Sequence, residues 1–206
     1  MKLPIESVAT LSAFIKGRHE DFDMNIIHSI HVDNTTAGVS TFTAFKMPAL
    51  LDKAPLDEQA ATGAEMQMFL TDTQACSALK TVIQGVGFMI GSETGPNLAQ
   101  FLVGRPGGKG QRWHLDHPVP HDARGPNLNV VVCLSAHSST VYLNMDGRRK
   151  TSTQWFSGTP GDVFFFPGDV PHRGPPVPMK SDARYILFLC YGHHDSDQAP
   201  IYMLNC

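Results

Sequence analysis

Residues 161–176 read GDVFFFPGDVPHRGPP, and the rest of the chain takes its meaning from them. Val163 to Phe166 is a β-branched and aromatic run closed on both sides by turn residues, Gly161 before it and Gly168-Asp169 after it. That is how a short strand reads. Three consecutive phenylalanines occupy both faces of such a strand, so apolar cover is expected on each side of its sheet. His172 follows the turn, between Pro171 and Gly174, in a segment that no helix tolerates.

Outward from this point the same texture repeats. Candidate strands are 98–104, 111–116, 127–136, 140–145, 151–156, 162–167, a short piece at Pro171-His172, and 184–192. Turn signals at Gly107-Gly108, Asp146-Gly147, Gly158 to Gly161 and Gly168-Asp169 separate them. Eight short strands at this spacing imply a barrel or sandwich. Upstream the texture differs. Residues 5–17 carry apolar positions near helical spacing and end at Gly17, and 57–69 and 73–85 also read as helices, the last with a capping box from Thr71 to Gln74. Between them, 25–32 and 38–46 are β-rich and joined by Asp33 to Thr36, as in a hairpin. The expectation is therefore α+β but mainly β: a single domain, with helical and hairpin elaboration over 1–96, a strand core over 97–192 and a polar tail over 193–206.

The chemistry sits on the strands. Trp113-His114-Leu115-Asp116 places a histidine and a carboxylate two residues apart, on one face of an extended segment. His172 comes 56 residues after Asp116. Two imidazoles and a carboxylate can take one face of an octahedral metal and leave three positions open for a co-substrate and dioxygen. Imidazole suits zinc, copper and nickel as well, so the ligands alone do not name the metal. Arg184, twelve residues beyond His172, opens the apolar run Tyr185 to Cys190. A guanidinium leading a buried strand is costly unless it meets an anion, and its planar fork matches a carboxylate.

With these residues in place, the run from His114 to Arg184 resembles the iron(II)/2-oxoglutarate-dependent dioxygenase superfamily. Its pattern is HxD at the end of the second core strand, a distal histidine at the seventh and a basic residue opening the eighth. The resemblance covers about residues 97–192 and implies a double-stranded β-helix (jelly-roll) core. It implies Fe(II) held by His114, Asp116 and His172, 2-oxoglutarate anchored by Arg184, and consumption of O2 with release of succinate. An organic substrate would be oxidised at an unactivated C–H bond, usually by hydroxylation. Asp116, where a halogenase carries Gly or Ala, argues against halogenation. Many members place Ser or Thr two residues after the strand-eight arginine, and here Ile186 stands there. A second contact to the co-substrate must come from another position. Asn127, Asn129, Thr140 and Tyr142 are candidates on alternating core positions, and Asn129 and Tyr142 are preferred.

A cupin-type metal enzyme that does not use 2-oxoglutarate shares the barrel and is the alternative, but Asp116 replaces its second histidine and Arg184 then has no role. A non-catalytic ligand-binding barrel is the third reading, in which the metal-ligand set would serve no purpose. His117 and His121 read as rim residues, His193 and His194 as part of the tail, and Trp113 and Trp155 as core. The formal net charge of −3 gives no electrostatic footprint for nucleic acid or anionic membrane. Cys133 and Cys190 lie in apolar runs and read as buried thiols. No run approaches a membrane span and the N-terminal MKLPIESVATLSAF lacks a signal-like apolar stretch, so a cytoplasmic protein is expected. Oligomeric state has no signature.

Overall fold

Of the 206 residues, the structure, a computed structural model, describes 2–18, 26–32, 42–48, 68–69, 73–93, 95–96, 98–104, 106–107, 111, 113–116, 127–136, 138–146, 149–192 and 202–203. Helix α1 spans Ile5–Arg18 and α2 spans Thr73–Ile90. The strands are β1 Ile26–Val32, β2 Phe42–Pro48, β3 Met68–Phe69, β4 Leu98–Gly104, β5 His114–Leu115, β6 Leu128–Cys133, β7 Ser138–Asp146, β8 Arg149–Gly158, β9 Val163–Pro167, β10 His172–Arg173, β11 Arg184–Tyr191 and β12 Tyr202–Met203.

The eight strands β4 to β11 divide between two antiparallel sheets, β4-β11-β6-β9 in one and β5-β10-β7-β8 in the other. The chain crosses between sheets at every connection except β7 to β8, a ladder from Ser138↔Gly158 to Asp146↔Arg149 with a bulge at Asn144/Met145. This is a mainly β jelly roll. The larger sheet continues through the hairpin β1-β2 and β3, giving the order β3-β2-β1-β4-β11-β6-β9. Met68 and Phe69 pair with β2 as a strand, where a helix over 57–69 was expected; residues 57–67 and Thr71 lie outside the described residues. The tail also contributes: Tyr202 and Met203 pair with Leu115 and His114, adding a strand beside the HxD segment.

Strand alternation gives the larger sheet two buried faces. One carries Val130, Val132, Leu187 and Leu189, which pack with Val8, Leu11 and Ile15 of α1 and Leu79, Val82 and Val86 of α2. Those helical positions recur at three- and four-residue intervals and so form one stripe on each helix. The other face carries Val131, Ile186, Phe188, Cys190 and Phe166 and lines the barrel interior. Double burial explains why Val130 to Cys133 of β6 and Tyr185 to Tyr191 of β11 are continuously apolar in sequence rather than alternating. Leu187, fully buried at the centre of β11, tests this layer. Leu187→Ala is expected to cost about 2–5 kcal/mol, read from chemical denaturation midpoints at unchanged slope.

The cover stops short of the edges. Phe165 on the edge strand β9 is 50% exposed, whereas Val163 packs against the core that the sheet and helices share. Trp155, expected in the core, is 62% exposed. It sits on β8, the edge of the smaller sheet, opposite Val141, where no further layer is packed among the described residues. No described helix is long and apolar enough to cross a membrane.

Candidate functional site

The smaller sheet brings three candidate residues into one row. His172 pairs in register with His114 on one side and with Tyr142 on the other. Directly paired residues of antiparallel strands share a face, and that face of His172 and Tyr142 is the barrel interior. The His172 ring meets Phe166 of the opposite sheet edge-on at 4.7 Å, and Tyr142 meets Phe164 at 5.4 Å. Phe164 in turn stacks on Phe156 at 4.6 Å. The aromatic run in GDVFFFPG thus supplies the wall against which the distal histidine rests.

His172 is buried, and its two nitrogens have different partners. Nδ1 lies 3.0 Å from the Val170 carbonyl, which can only accept, so Nδ1 carries the hydrogen. In the neutral ring that leaves the Nε2 lone pair facing Asp116 Oδ2 at 3.4 Å. Two ligand atoms bonded at about 2.1 Å on adjacent positions of one metal lie about 3 Å apart, so this spacing fits a pair that shares an ion. The His114 side chain lies outside what the structure describes. Among the described residues no set of three His, Cys, Asp or Glu forms a metal cluster.

Asp116 is held through both its backbone and its side chain. Its backbone N–H donates to the Gly168 carbonyl at 3.2 Å, and the Gly168 N–H donates to the Asn127 carbonyl at 2.7 Å. The Gly168-Asp169 turn therefore fixes the HxD segment against the start of β6. The side chain of Asn129, fully buried, donates Nδ2 to Asp116 Oδ2 at 2.5 Å. That bond sets the orientation of the amide, because only its nitrogen can face a carboxylate. Asn129 Oδ1 is then buried without a hydrogen-bond partner among the described residues. Cys190, in register with Asn129, has its thiol pushed up to about 12 by burial and, secondarily, by the Asp116 charge. Burial raises Cys133 likewise to about 12, so both are protonated thiols at neutral pH.

Arg184 opens β11 as expected, on the interior face shared by Ile186, Phe188 and Cys190. Its register partner is Gly104. A Cβ on Gly104 would stand 3.4 Å from both Nε and Nη2 of the guanidinium, and one on Gly174 would stand 3.0 Å from Nη2. Two glycines thus leave the room that the guanidinium occupies. Nη1 donates to the Pro175 carbonyl at 2.8 Å. No carboxylate among the described residues pairs with it, and burial lowers its pKa to about 10, which still leaves it charged at neutral pH. The start of β11 is anchored by Ser135 and Ser138: Tyr185 N–H donates to Ser135 Oγ at 2.8 Å, and Ser138 Oγ donates to the Tyr185 carbonyl at 3.1 Å.

Of the two preferred second contacts to the co-substrate, Asn129 lies along β11 from Arg184 and Tyr142 lies opposite His172. Asn129 pairs with Cys190, six residues along β11 from Arg184, or about 20 Å of strand. The structure brings it to Asp116, and brings Tyr142 to His172. Register, which sequence does not fix, decides these rows. Asn127 and Thr140 are buried. One residue near Arg184 was not among the candidates read from the sequence: Gln111, whose Oε1 accepts the Gly174 N–H at 2.7 Å. His117, His121, His193 and His194 lie outside the described residues.

No protein-family profile matches the chain, and no curated protein matches it by sequence. Solved structures do resemble it. AviO1 from Streptomyces viridochromogenes Tue57 is 13% identical with a TM-score of 0.56, over 96% of this chain and 89% of that one. A Pseudomonas putida prolyl-4-hydroxylase is 16% identical with a TM-score of 0.48, over 93% of this chain and 84% of the other. A prolyl hydroxylase from Trichoplax adhaerens, solved with a peptide of the hypoxia-inducible factor oxygen degradation domain, is 18% identical with a TM-score of 0.45, over 58% of each chain. At these identities the likeness is one of fold.

Proposed function

We propose that this chain is a non-haem Fe(II)/2-oxoglutarate-dependent oxygenase that hydroxylates an unactivated C–H bond of a small molecule, amino acid or protein side chain. The observation that carries this reading is a charged guanidinium in the barrel, without a carboxylate among the described residues, beyond an imidazole–carboxylate pair poised for a metal. Arg184 favours this reading over a cupin-type enzyme because it supplies the anion site that a dicarboxylate co-substrate requires.

In this reading His172 Nε2, Asp116 and His114, the register partner of His172, hold the iron. Bound there, the iron supplies the redox chemistry that couples O2 to the co-substrate. The overall reaction balances as R–H, 2-oxoglutarate and O2 giving R–OH, succinate and CO2. The protein's own contributions are positional. Val170 and Phe166 fix the His172 ring. Asn129 and Gly168 fix Asp116. Arg184 binds the distal carboxylate, and Phe164, Phe166, Ile186 and Phe188 keep the interior apolar. An apolar interior strengthens the Arg184–carboxylate attraction and excludes water from the reacting centre.

The direct test is anaerobic addition of Fe(II) and 2-oxoglutarate to the purified protein. A weak visible metal-to-ligand charge-transfer band is expected, and admission of air should yield succinate. Absence of the band, with no succinate across a substrate screen, would rule the reading out.

A further inference from the structure

The missing hydroxyl at position 186 leaves a gap in the anion pocket, and the structure offers a residue to fill it. Ile186 is 3% exposed and packed among Val131, Phe188 and Cys190, so it contributes no donor. Arg184 has one of its nitrogens committed to the Pro175 carbonyl. Its Nη2 lies beside Gly174, and so does Gln111: a Cβ built on Gly174 would be 3.0 Å from Arg184 Nη2 and 2.9 Å from Gln111 Oε1. The absent side chain of Gly174 is the place where these two side chains come together.

Gln111 is also oriented. Its backbone N–H donates to the Gly174 carbonyl at 2.8 Å, and its Oε1 accepts the Gly174 N–H at 2.7 Å. Because a backbone N–H can only donate, the amide oxygen is the atom facing it, and the NH2 group must project away from Gly174. That NH2 makes no hydrogen bond to any described residue. Gln111 itself is half-buried. A carboxylate has about four lone-pair sites, more than one partly committed guanidinium satisfies. A neutral amide completes such a site without adding a second desolvated charge.

Resting on the oxygenase reading above, we propose that Gln111 Nε2 is the second donor to the distal carboxylate of 2-oxoglutarate, alongside Arg184. The competing role is purely structural, a staple between β10 and the segment entering β5. Gln111→Glu separates the two. Its carboxylate still accepts the Gly174 N–H and keeps the staple, but it offers no donor and sets a negative charge beside the ligand's own. Gln111→Met removes both functions.

The experiment is anaerobic calorimetric titration of the Fe(II)-loaded wild type and both variants. Two ligands are used: 2-oxoglutarate, and 2-oxopentanoate, which has the same keto-acid head and chain length but no distal carboxylate. Each variant is expected to lose about tenfold or more in affinity for 2-oxoglutarate, the range of a hydrogen bond to a charged group. Affinity for 2-oxopentanoate should be unchanged, as should iron content. If Gln111→Met is too unstable to titrate, Gln111→Glu, which retains the staple, decides alone. Wild-type affinity for 2-oxoglutarate in Gln111→Glu would overturn the proposal, as would an equal loss for both ligands. A wild type that binds neither acid would instead overturn the oxygenase reading and this proposal with it.

Discussion

Asp116→Ala is expected to abolish stoichiometric iron binding and all turnover while leaving the jelly roll folded. Asp116 Oδ2 is the atom on which the site converges: it lies 3.4 Å from His172 Nε2 and accepts the Asn129 amide at 2.5 Å. The backbone of Asp116 is fixed independently, through Gly168 and Asn127, so truncation leaves the HxD segment in place. The truncation also strands Asn129. Its Oδ1 already lacks a partner among the described residues, and the loss of Asp116 removes the one Nδ2 has, at an expected cost of about 1–3 kcal/mol for a buried unsatisfied group. The measurement is metal content after Fe(II) loading and desalting, with Mn(II) affinity as an activity-independent check and the melting temperature as a control for folding. Asn129→Leu should behave differently. It leaves all three proposed ligands and removes only the group that orients one, so metal affinity should fall about 10–100-fold rather than vanish. If Asp116→Ala binds iron as tightly as wild type, the metal site proposed here is wrong.

The strands of this fold were legible because each is closed by glycine, proline or Asp-Gly turns, and all eight candidates from 98 to 191 appear as strands. Their assignment to two sheets was not legible in the same way. Nothing in β4 or β11 taken alone says that Leu98 to Gly104 runs beside Arg184 to Cys190; the resemblance implied a jelly-roll core but no particular pairing. Burial failed where it depends on the sheet's edge. Trp155 is apolar and sits on a strand, but among the described residues β8 has a neighbour on one side only and Trp155 stays largely exposed. The site divides along the same line. His114, Asp116, His172 and Arg184 carry their own chemical signal, whereas Asn129, Tyr142 and Gln111 acquire a role only through register and through contacts across the barrel. Gln111 meets Gly174, 63 residues away, and the only hint in sequence is a polar residue three before the HxD paired with a glycine two after the second histidine.

Arg184→Met is expected to weaken 2-oxoglutarate binding by about 30- to 4000-fold, corresponding to the roughly 2–5 kcal/mol cost of removing one partner of a buried charge pair, without loss of iron. The separation of the two effects follows from the register. Arg184 pairs with Gly104 at one end of β11, whereas Asp116 is held by Asn129 at the Cys190 end. The ligand-free protein offers a second, less intuitive readout. There the guanidinium is desolvated without a carboxylate among the described residues, and burial lowers its pKa to about 10. A buried cation that lacks its counter-ion opposes folding, and an apolar replacement of similar length removes that penalty. Arg184→Met should therefore melt at or above the wild-type temperature in the absence of ligand. The wild type alone should then gain stability when 2-oxoglutarate is added, by about 2.7 kcal/mol at a hundred times Kd. Arg184→Lys retains the charge but not the fork, so it should fall between the two. A structural arginine behaves in the opposite way: its removal lowers the melting temperature without ligand and leaves the ligand-induced shift intact. The two melting curves, with and without 2-oxoglutarate, thus decide whether the cation was placed in the barrel for the fold or for an anion.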